Sequence, residues 1–397
     1  TGFTGSYIRL SDFRGSENQA PKTLEAIRNP DCGWFFNAKP DDFKKIPGSP
    51  IAYWISPKIS SLFESEEKFD DVFFIKAGIS SGDNAKFILQ WYEVDNSLIL
   101  KNDKVNFKYT LHNKGGEFRK WAGNWESILK YSDSSIALMS NNLGFRHDGK
   151  EFYFQEHIGW SKITSSISSF RLYPAGFTFD SAGLGLFIKR KGINYNFALA
   201  FLNSKVSSNI ISFLNPTLNV TPEIIKKIPY KIPENFNEDI IKELFQIPKY
   251  DWDSYETSWD FTQNPIICTQ QPNLEQAFNT WQQQNADAVA EMKRLEEENN
   301  KLFIDAYGLQ DELTPDVPDE QITLTRANRE KDSQRLVSYA IGCMMGRYSL
   351  DEPGLIYAHA GNQDFDASRY QTFPADADGI IPLTEMHWFE DDATHRI

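Results

Sequence analysis

The residues Asn113–Asn124 (NKGGEFRKWAGN) lie in the most basic region of the chain. Two adjacent glycines, Gly115 and Gly116, allow the backbone to approach a large ligand closely because neither carries a Cβ atom. The flat ring of Trp121 lies among cations, which are Lys114, Arg119 and Lys120. Cations beside an aromatic ring and an open backbone are typical of a nucleic-acid surface. Taken alone, however, the stretch also fits a β-turn with a solvated run of charges.

A second polar loop with glycines lies upstream, between two apolar runs. Val72–Ile75 predicts a buried strand and Phe87–Val94 predicts another, so that Gly78–Asn84 (GISSGDN) is a loop held between strands. Backbone N–H groups and short polar side chains in such a loop can donate to phosphate oxygens or reach base edges. The loop is therefore a second candidate for contact with nucleic acid.

Charge is distributed unevenly along the 397 residues. The net charge of -14, taken alone, argues against a partner that is a polyanion. Residues 1–250, however, hold 31 basic and 27 acidic side chains, whereas residues 251–397 hold 10 and 28. Within residues 101–191 the count is 14 basic against 8 acidic. This local excess suits a surface that faces nucleic acid, while the acidic end favours solubility.

A long helix is predicted from Leu274 to Leu309 by two complementary sets of residues spaced seven apart. The sets are Phe278, Asn285, Met292, Asn299 and Ala306, and Leu274, Trp281, Ala288, Leu295, Leu302 and Leu309. Such a seam is typical of a helix that pairs with another helix, and asparagine within it fixes the register at a cost in stability. The alternative is one amphipathic helix on a globular domain, although polar seam positions are unusual for a core face.

These patterns together predict an α+β protein. A mixed-sheet domain is expected first, because strand-like alternation covers residues 151–190 and helical spacing follows from Phe197 to Phe213. The proline-spaced segment Ile228–Pro248 is the expected exit linker. A long coiled-coil-like helical spacer comes next, followed by an acidic C-terminal region that is partly helical and partly irregular.

Several kinds of catalytic and metal site are absent from the sequence. It contains no Walker loop and no G-x-G-x-x-G, G-x-S-x-G or H-E-x-x-H motif. Cys32, Cys268 and Cys343 are far apart, which fits neither a disulfide framework nor a zinc site. No apolar run approaches membrane-spanning length and the chain has no signal-like opening, so we expect a cytoplasmic protein with no membrane partner. We assign no catalytic, cofactor-binding or metal residue.

Six segments, taken in order, carry a family resemblance. They are Phe43–Trp54 (FKKIPGSPIAYW), Gly78–Phe87 (GISSGDNAKF), Asn113–Asn124, Trp160–Lys162 with Phe177–Gly183, Leu202–Lys205 with Asn215–Asn219, and Tyr339–Tyr348 (YAIGCMMGRY). In this order they resemble the carboxy-terminal part of the adenine-specific DNA methyltransferases of BREX phage-defence systems. Those enzymes are related to type IIG restriction–modification enzymes. The resemblance covers nearly the whole chain.

The resemblance implies an S-adenosylmethionine-dependent enzyme that methylates N6 of adenine in short asymmetric DNA sites. The family's cofactor motif and its Asn-Pro-Pro-Tyr catalytic motif are expected before Thr1, because no Asn-Pro pair of this chain is followed by Pro-Tyr. We therefore expect S-adenosyl-L-methionine to be bound by a missing N-terminal domain and not by this chain. The chain is then a fragment that is inactive alone. The implied partners are double-stranded DNA, the missing methyltransferase domain, other BREX proteins and phage inhibitors that mimic DNA.

On this resemblance the chain divides into four regions. Residues 1–50 would connect to the missing methyltransferase domain, and residues 51–250 would form the DNA target-recognition domain. Residues 251–310 would hold the linker and helical spacer, and residues 311–397 the acidic C-terminal region.

The expected DNA contacts fall into two groups. Side chains expected to grip phosphates are Lys114, Lys120 and Lys162. Side chains placed to reach base edges are Ser80, Ser81, Asp83, Asn84 and Arg119. Gly82, Gly115, Gly116 and Trp121 complete the expected DNA-binding set.

Two other functions fit the same residues. One is a non-catalytic specificity subunit, like those of type I restriction–modification systems, that binds DNA and attaches to a separate methyltransferase subunit through the long helix. The other is a protein-interaction module whose working surface is the acidic tail. DNA binding that is strong but insensitive to salt would favour this last function.

Overall fold

Two four-stranded sheets form the centre of the first half of the chain. The computed structural model describes residues 2–100, 107–164, 167–215, 217–358, 365–376 and 381. Its strands are β1 (Gly5–Ile8), β2 (Phe35–Ala38), β3 (Glu67–Lys68), β4 (Phe73–Lys76), β5 (Ile79–Ser80), β6 (Ile88–Gln90), β7 (Tyr109–Asn113), β8 (Ser127–Lys130), β9 (Arg146–His147), β10 (His157–Ser161), β11 (Phe170–Tyr173), β12 (Phe177–Phe179), β13 (Gly183–Ile188) and β14 (Pro229–Tyr230).

Helices cover much of the rest of the described chain. They are α1 (Ser16–Arg28), α2 (Pro40–Phe43), α3 (Pro57–Ser65), α4 (Phe69–Val72), α5 (Asn84–Phe87), α6 (Asp133–Met139), α7 (Tyr195–Leu202), α8 (Lys205–Leu214), α9 (Pro222–Lys226), α10 (Glu238–Asp253), α11 (Pro265–Cys268), α12 (Leu274–Ala306) and α13 (Arg329–Met344). Sheets of mixed strand direction beside these helices confirm the predicted α+β class. The four-region division of the chain stays a prediction.

The two sheets share a core through their facing side chains. One sheet has the strand order β11-β10-β13-β4 and is antiparallel throughout, while the other has the order β12-β7-β8-β6. In the second sheet β12 runs parallel to β7, and the other pairs are antiparallel. Leu129 of β8, Phe179 of β12 and Phe187 of β13 are all buried in one cluster between the sheets. Because β12 and β7 are parallel, their carboxyl ends lie at one edge of this core.

Two predicted elements end earlier than their apolar patterns indicate. The expected strand over Phe87–Val94 is only three residues long, because a helical turn capped by Asp83 comes before it and a 3-10 turn at Trp91–Glu93 ends it. The Glu93 carboxylate accepts a hydrogen bond from the backbone N–H of Gln90 and so starts this second turn. The expected helix over 197–213 is two helices, α7 and α8, bent by 69° relative to each other. Ser204 begins α8 by accepting a hydrogen bond from Ser207 N–H.

The predicted long helix is present as α12, which has 33 residues. Its carboxyl-terminal half packs on α7, where the rings of Phe201 and Phe303 are 5.2 Å apart. The Phe201 ring is also stacked on Tyr307 at 5.4 Å. The helix therefore belongs to the same hydrophobic core as the first sheet.

The polar seam of α12 faces its own chain. Asn285 donates to the Thr325 carbonyl at 2.8 Å and accepts from Ala327 N–H at 2.9 Å. Asn299 donates to the Ala200 carbonyl at 3.0 Å. Heptad spacing therefore identified part of the buried face, but the partners are segments of the same chain. Leu274, at the start of the predicted seam, is 56% exposed.

A membrane-spanning helix among the described residues would need both sufficient length and apolar character. No single helix there combines the length and apolar character needed to cross a bilayer. Only α7 and α8 taken together meet that test, and they are bent at Asn203–Ser204 and packed within the protein core.

Candidate nucleic-acid interface

Four loops from the two sheets meet at one edge of the fold. β7 ends at Asn113 directly beside Phe179 of the parallel strand β12, so Lys114 and Asp180 leave the sheet together. The Asp180 backbone N–H donates to the Asn113 carbonyl at 3.0 Å. In the other sheet, Ser161 at the end of β10 pairs with Gly183. This pairing brings Lys162 to the same edge, where its N–H donates to the Ala182 carbonyl at 2.8 Å.

The upstream glycine loop reaches this edge through β5. Ser181 N–H donates to the Ile79 carbonyl at 2.9 Å, and Ile79 forms a parallel bridge with Asp180. On its other side β5 pairs with β9, so that Ser80 is opposite Arg146. Three separately predicted segments, Ser80–Asn84, Lys114–Gly116 and Lys162, are thus brought together. We refer to these segments with Asp180–Gly183 and Arg146 as the loop edge.

Within the loop at 80–84, two side chains act on the loop itself. Ser81 is buried, donates to Oδ1 of Asn84 at 2.7 Å and accepts from Asp83 N–H at 3.1 Å. The Asp83 carboxylate caps α5. Gly82, Asp83 and Asn84 remain exposed, whereas Ser80 is half-buried. A base could therefore meet Asn84 or the backbone of Gly82, but it could not meet Ser81 without a change of loop shape.

Gly115 and Gly116 are required by the shape of their own loop. Both have positive φ, +90° and +97°, which side chains rarely tolerate. A Cβ atom on Gly116 would lie 2.7 Å from Nδ2 of Asn124. The buried Arg171 guanidinium fixes the loop from inside, donating to the Gly115 carbonyl at 2.9 Å and to the Arg119 carbonyl at 2.8 Å. Gly115 is buried and Gly116 is exposed.

Lys114 is held at the loop edge by an acidic partner that the sequence did not indicate. Its Nζ is 2.9 Å from Oδ2 of Asp180, and the Lys114 side chain is 32% exposed while that of Asp180 is 4% exposed. Burial raises the pKa of the Asp180 carboxyl, but the hydrogen bonds and charges of His112 and Lys114 outweigh it and lower the pKa to about 2. Asp180 is therefore ionised at neutral pH.

Lys162 and Arg146 carry the other cations of the loop edge. Lys162 is half-buried, and no carboxylate within the described ranges forms an ion pair with it. Arg146 is exposed and has only a long contact, 3.7 Å, with Asp148. Exposed ion pairs of this kind are weak, so Arg146 can exchange Asp148 for a phosphate, and Lys162 can bind a phosphate without giving up an ion pair. Arg146 was not predicted, because nothing in the sequence pairs residue 146 with residue 80.

Lys120 and Trp121 do not have the predicted role at a DNA surface. Lys120 is 3% exposed and Trp121 is fully buried. The Lys120 ammonium is ion-paired with Glu296 of α12, and Nε1 of Trp121 donates to the same carboxylate. In the folded protein they join the loop to the long helix, and DNA cannot reach them. Their partner lies 176 residues from Lys120 and 175 from Trp121 in sequence, so no local pattern indicates it.

Arg119 is also turned away from the loop edge. Its Nη2 is 2.6 Å from Oδ2 of Asp251 in α10, and its guanidinium lies 5.1 Å from the ring centre of Trp252. Its side chain is 13% exposed. The predicted contact of Arg119 with a base edge therefore does not fit this arrangement. The stretch 113–124 has two ends with different surroundings: Lys114–Gly116 at the loop edge and Arg119–Trp121 against the helices.

Buried histidines lie beneath the loop edge. His157 stacks on Tyr173 with a centroid distance of 5.1 Å and is 3.2 Å from Nδ2 of Asn113. Burial lowers the pKa of His157 to about 4, although the hydrogen bond to the Gln155 carbonyl opposes the shift. His157 is therefore neutral near pH 7. Over the described ranges no three His, Cys, Asp or Glu side chains are grouped so that they could hold a metal ion.

The sequence of this chain is similar to the sequences of adenine-specific methyltransferases. PglX of Lacticaseibacillus casei (strain Zhang) is 37% identical over 413 residues, which cover 98% of this chain and 34% of that protein. BrxX of Escherichia coli O9:H4 (strain HS) is 34% identical over 413 residues, covering 98% of this chain and 33% of its own length. No protein-family model matches the chain.

These two matches confirm the family resemblance that the six segments predicted, because the chain is similar to the PglX and BrxX adenine-specific methyltransferases over 98% of its length. The chain spans about a third of the length of the curated relatives it matches. This share is consistent with the carboxy-terminal region that the segments indicated.

Proposed function

We propose that this chain is the DNA target-recognition part of a BREX phage-defence DNA methyltransferase that uses S-adenosylmethionine to methylate N6 of adenine. The observation that carries the proposal is the convergence of four loops and strand β9 at the loop edge, which places Lys114, Arg146 and Lys162 there. Loops on a rigid sheet are the usual carriers of binding residues. The similarity to adenine-specific methyltransferases supplies the reaction class.

In this proposal the cations position the DNA and the exposed polar groups read it. Lys114, Lys162 and Arg146 contact phosphates, which fix the register of the duplex without reading sequence. Base edges are then read by Asn84 and the backbone of Gly82, because short polar groups on a fixed loop discriminate donors from acceptors in the major groove. A flipped adenine enters a catalytic domain, outside this chain, that also binds S-adenosylmethionine.

The packing of α12 favours this function over that of a separate specificity subunit. A specificity subunit would use the long helix to attach a second polypeptide. Instead, Asn285, Asn299 and the buried apolar residues of α12 contact segments of the same chain. The helix therefore offers less surface to another subunit than the heptad pattern alone indicates.

The proposal is tested by exchanging residues 78–183, inside the full-length enzyme, for the matching interval of a relative that methylates a different site. Methylation should move to the donor's site, as read by sequencing of methylated bases. The matched control exchanges residues 274–306 and should keep the original site. An active chimera of 78–183 that retains the original site would contradict the assignment of recognition to this interval.

The chain alone should transfer no methyl group, because the catalytic Asn-Pro-Pro-Tyr motif is absent from it. Incubation with radiolabelled S-adenosylmethionine and unmethylated genomic DNA measures this directly. Incorporation above a control without protein would contradict this part of the proposal.

A further inference from the structure

Asp180 is a buried carboxylate at the centre of the loop edge. Its Oδ2 is 2.9 Å from Nζ of Lys114 and 3.4 Å from Nε2 of His112. Its Oδ1 accepts from Ala182 N–H at 2.7 Å and from the Ser181 hydroxyl at 3.3 Å. Only 4% of the side chain is exposed. Such a charge is costly to bury unless several donors compensate it, and here they do.

The backbone of Asp180 touches two further segments of the loop edge. Its N–H donates to the Asn113 carbonyl at 3.0 Å, and its carbonyl accepts from Gly78 N–H at 3.2 Å. One residue is thus in contact with the strand that leads to Lys114, with the segment that leads to Ser80, and with the turn that contacts Lys162.

A negative charge in this place weakens simple attraction to phosphates. Asp180 cancels much of the field of Lys114, and a surface selected only to hold polyanions would lack it. The carboxylate instead restricts motion. It holds the flexible Lys114 side chain in one direction, and it holds the turn after β12 in one conformation. Specificity is the difference between the affinity for the recognised site and the affinity for other DNA. Lower affinity for other DNA increases this difference, and so do fixed contacts with the recognised site.

We propose that Asp180 is a positioning residue for sequence-specific DNA recognition, which holds Lys114 and the turn at Asp180–Gly183 so that the recognised site is favoured over other DNA. The inference rests on the proposed function, because it takes DNA as the ligand of the loop edge. It goes further by naming a residue that contacts no base and still sets selectivity.

Asp180→Asn tests the inference with little change of shape. The amide oxygen can still accept from Ala182 N–H, but the ion pair with Lys114 is lost. Two probes are used with the purified chain: a 30-base-pair duplex of random sequence, and the duplex that the wild-type chain enriches from a randomised library. For the random duplex we expect binding to tighten by about 3- to 10-fold at low salt and the salt slope to steepen by about one unit. The preference for the enriched duplex should fall by about 10-fold or more.

Asp148→Asn is the matched control. It removes one negative charge beside Arg146, and the Asp148 side chain is 53% exposed. Binding to the random duplex should tighten in the same direction, whereas the preference for the enriched duplex should stay within about twofold of wild type. A purely structural role of Asp180 would weaken binding to both probes alike and would not steepen the salt slope.

A second variant addresses the case in which Asp180→Asn does not fold. Lys114→Gln and Lys162→Gln each remove one cation of the loop edge, but only Lys114→Gln takes away the ion-pair partner of the Asp180 carboxylate. Preference for the enriched duplex should therefore fall at least about fivefold more in Lys114→Gln than in Lys162→Gln. Equal losses in the two variants, or unchanged selectivity in a folded Asp180→Asn protein, would overturn the inference. Failure of the wild-type chain to enrich any duplex would instead count against the proposed function.

Discussion

Nε1 of Trp121 donates a hydrogen bond of 2.9 Å to Oε1 of Glu296, joining two residues that are 175 positions apart in the chain. The same carboxylate is ion-paired with Lys120, and the side chains of Lys120 and Glu296 are each 4% exposed. The buried Glu296 carboxylate accepts from two neighbouring residues, Lys120 and Trp121, and this fixes the position of their loop against α12. The long helix is therefore fixed to the end of the stretch 113–124 that lies away from the loop edge.

Glu296→Gln should destabilise the protein by about 3–5 kcal/mol, because it leaves the Lys120 ammonium buried without a counter-charge. The free energy of unfolding from urea titration measures the loss. Glu291→Gln is the control on the same helix: its partner Arg294 is 56% exposed, and the loss should be at most about 1 kcal/mol. Similar losses in the two variants would mean that the buried pair has no special role in stability.

Asn285→Ala should cost about 1–3 kcal/mol of unfolding free energy, because the Thr325 carbonyl and Ala327 N–H both lose their partner. Gln283→Ala, two positions earlier on the exposed side of α12, removes only a contact with Asp287 and should be nearly neutral. Thermal unfolding of both variants makes the comparison. If α12 acted mainly as a free seam for another polypeptide, Asn285→Ala would leave the isolated chain as stable as wild type.

Stability should fall as the pH is lowered from about 6.5 to about 4, in part because of His157. Its pKa is lowered to about 4 in the folded protein from a usual value of 6.5, so the unfolded state binds the proton more readily in this window. Unfolding is favoured there by up to about 3 kcal/mol at the acid end. His157→Gln should flatten the pH profile of the unfolding free energy, whatever its effect near pH 7. His147→Gln, at a half-buried histidine, should retain most of the slope; a profile equally steep in wild type and His157→Gln would refute the assignment.

Replacing Lys114 and Lys162 together by Gln should weaken binding to duplexes of random sequence and reduce the salt slope by about two units, one for each lost phosphate contact. Lys301 and Lys331 form the control pair, because both are exposed and lie on α12 and α13 away from the loop edge. Changing them to Gln alters the net charge equally and should leave the slope unchanged. Fluorescence anisotropy at several salt concentrations gives both slopes, and a larger effect from the control pair would move the DNA surface elsewhere.

The sequence predicted features whose causes are local. The length of α12 follows from apolar residues at regular spacing, and the loops follow from glycines and short polar residues between strands. What the sequence could not supply was the identity of distant partners. Lys120 has the same local signature as Lys114, yet one is buried against Glu296 and the other lies at the loop edge. The role of Asp180 likewise depends on the parallel pairing of β12 with β7, and no local sequence pattern predicts this pairing.

The hydrogen bonds of Asn285 and Asn299 restrict which insertions and deletions α12 can tolerate. Each α-helical residue adds about 100° of rotation and 1.5 Å of rise, so a single inserted or deleted codon between the two positions would turn one asparagine away from its carbonyl. Both contacts survive only if the spacing stays constant. Loops at an exposed edge tolerate length changes far better. Insertions and deletions among relatives should therefore accumulate around the loop edge and be excluded from the middle of α12.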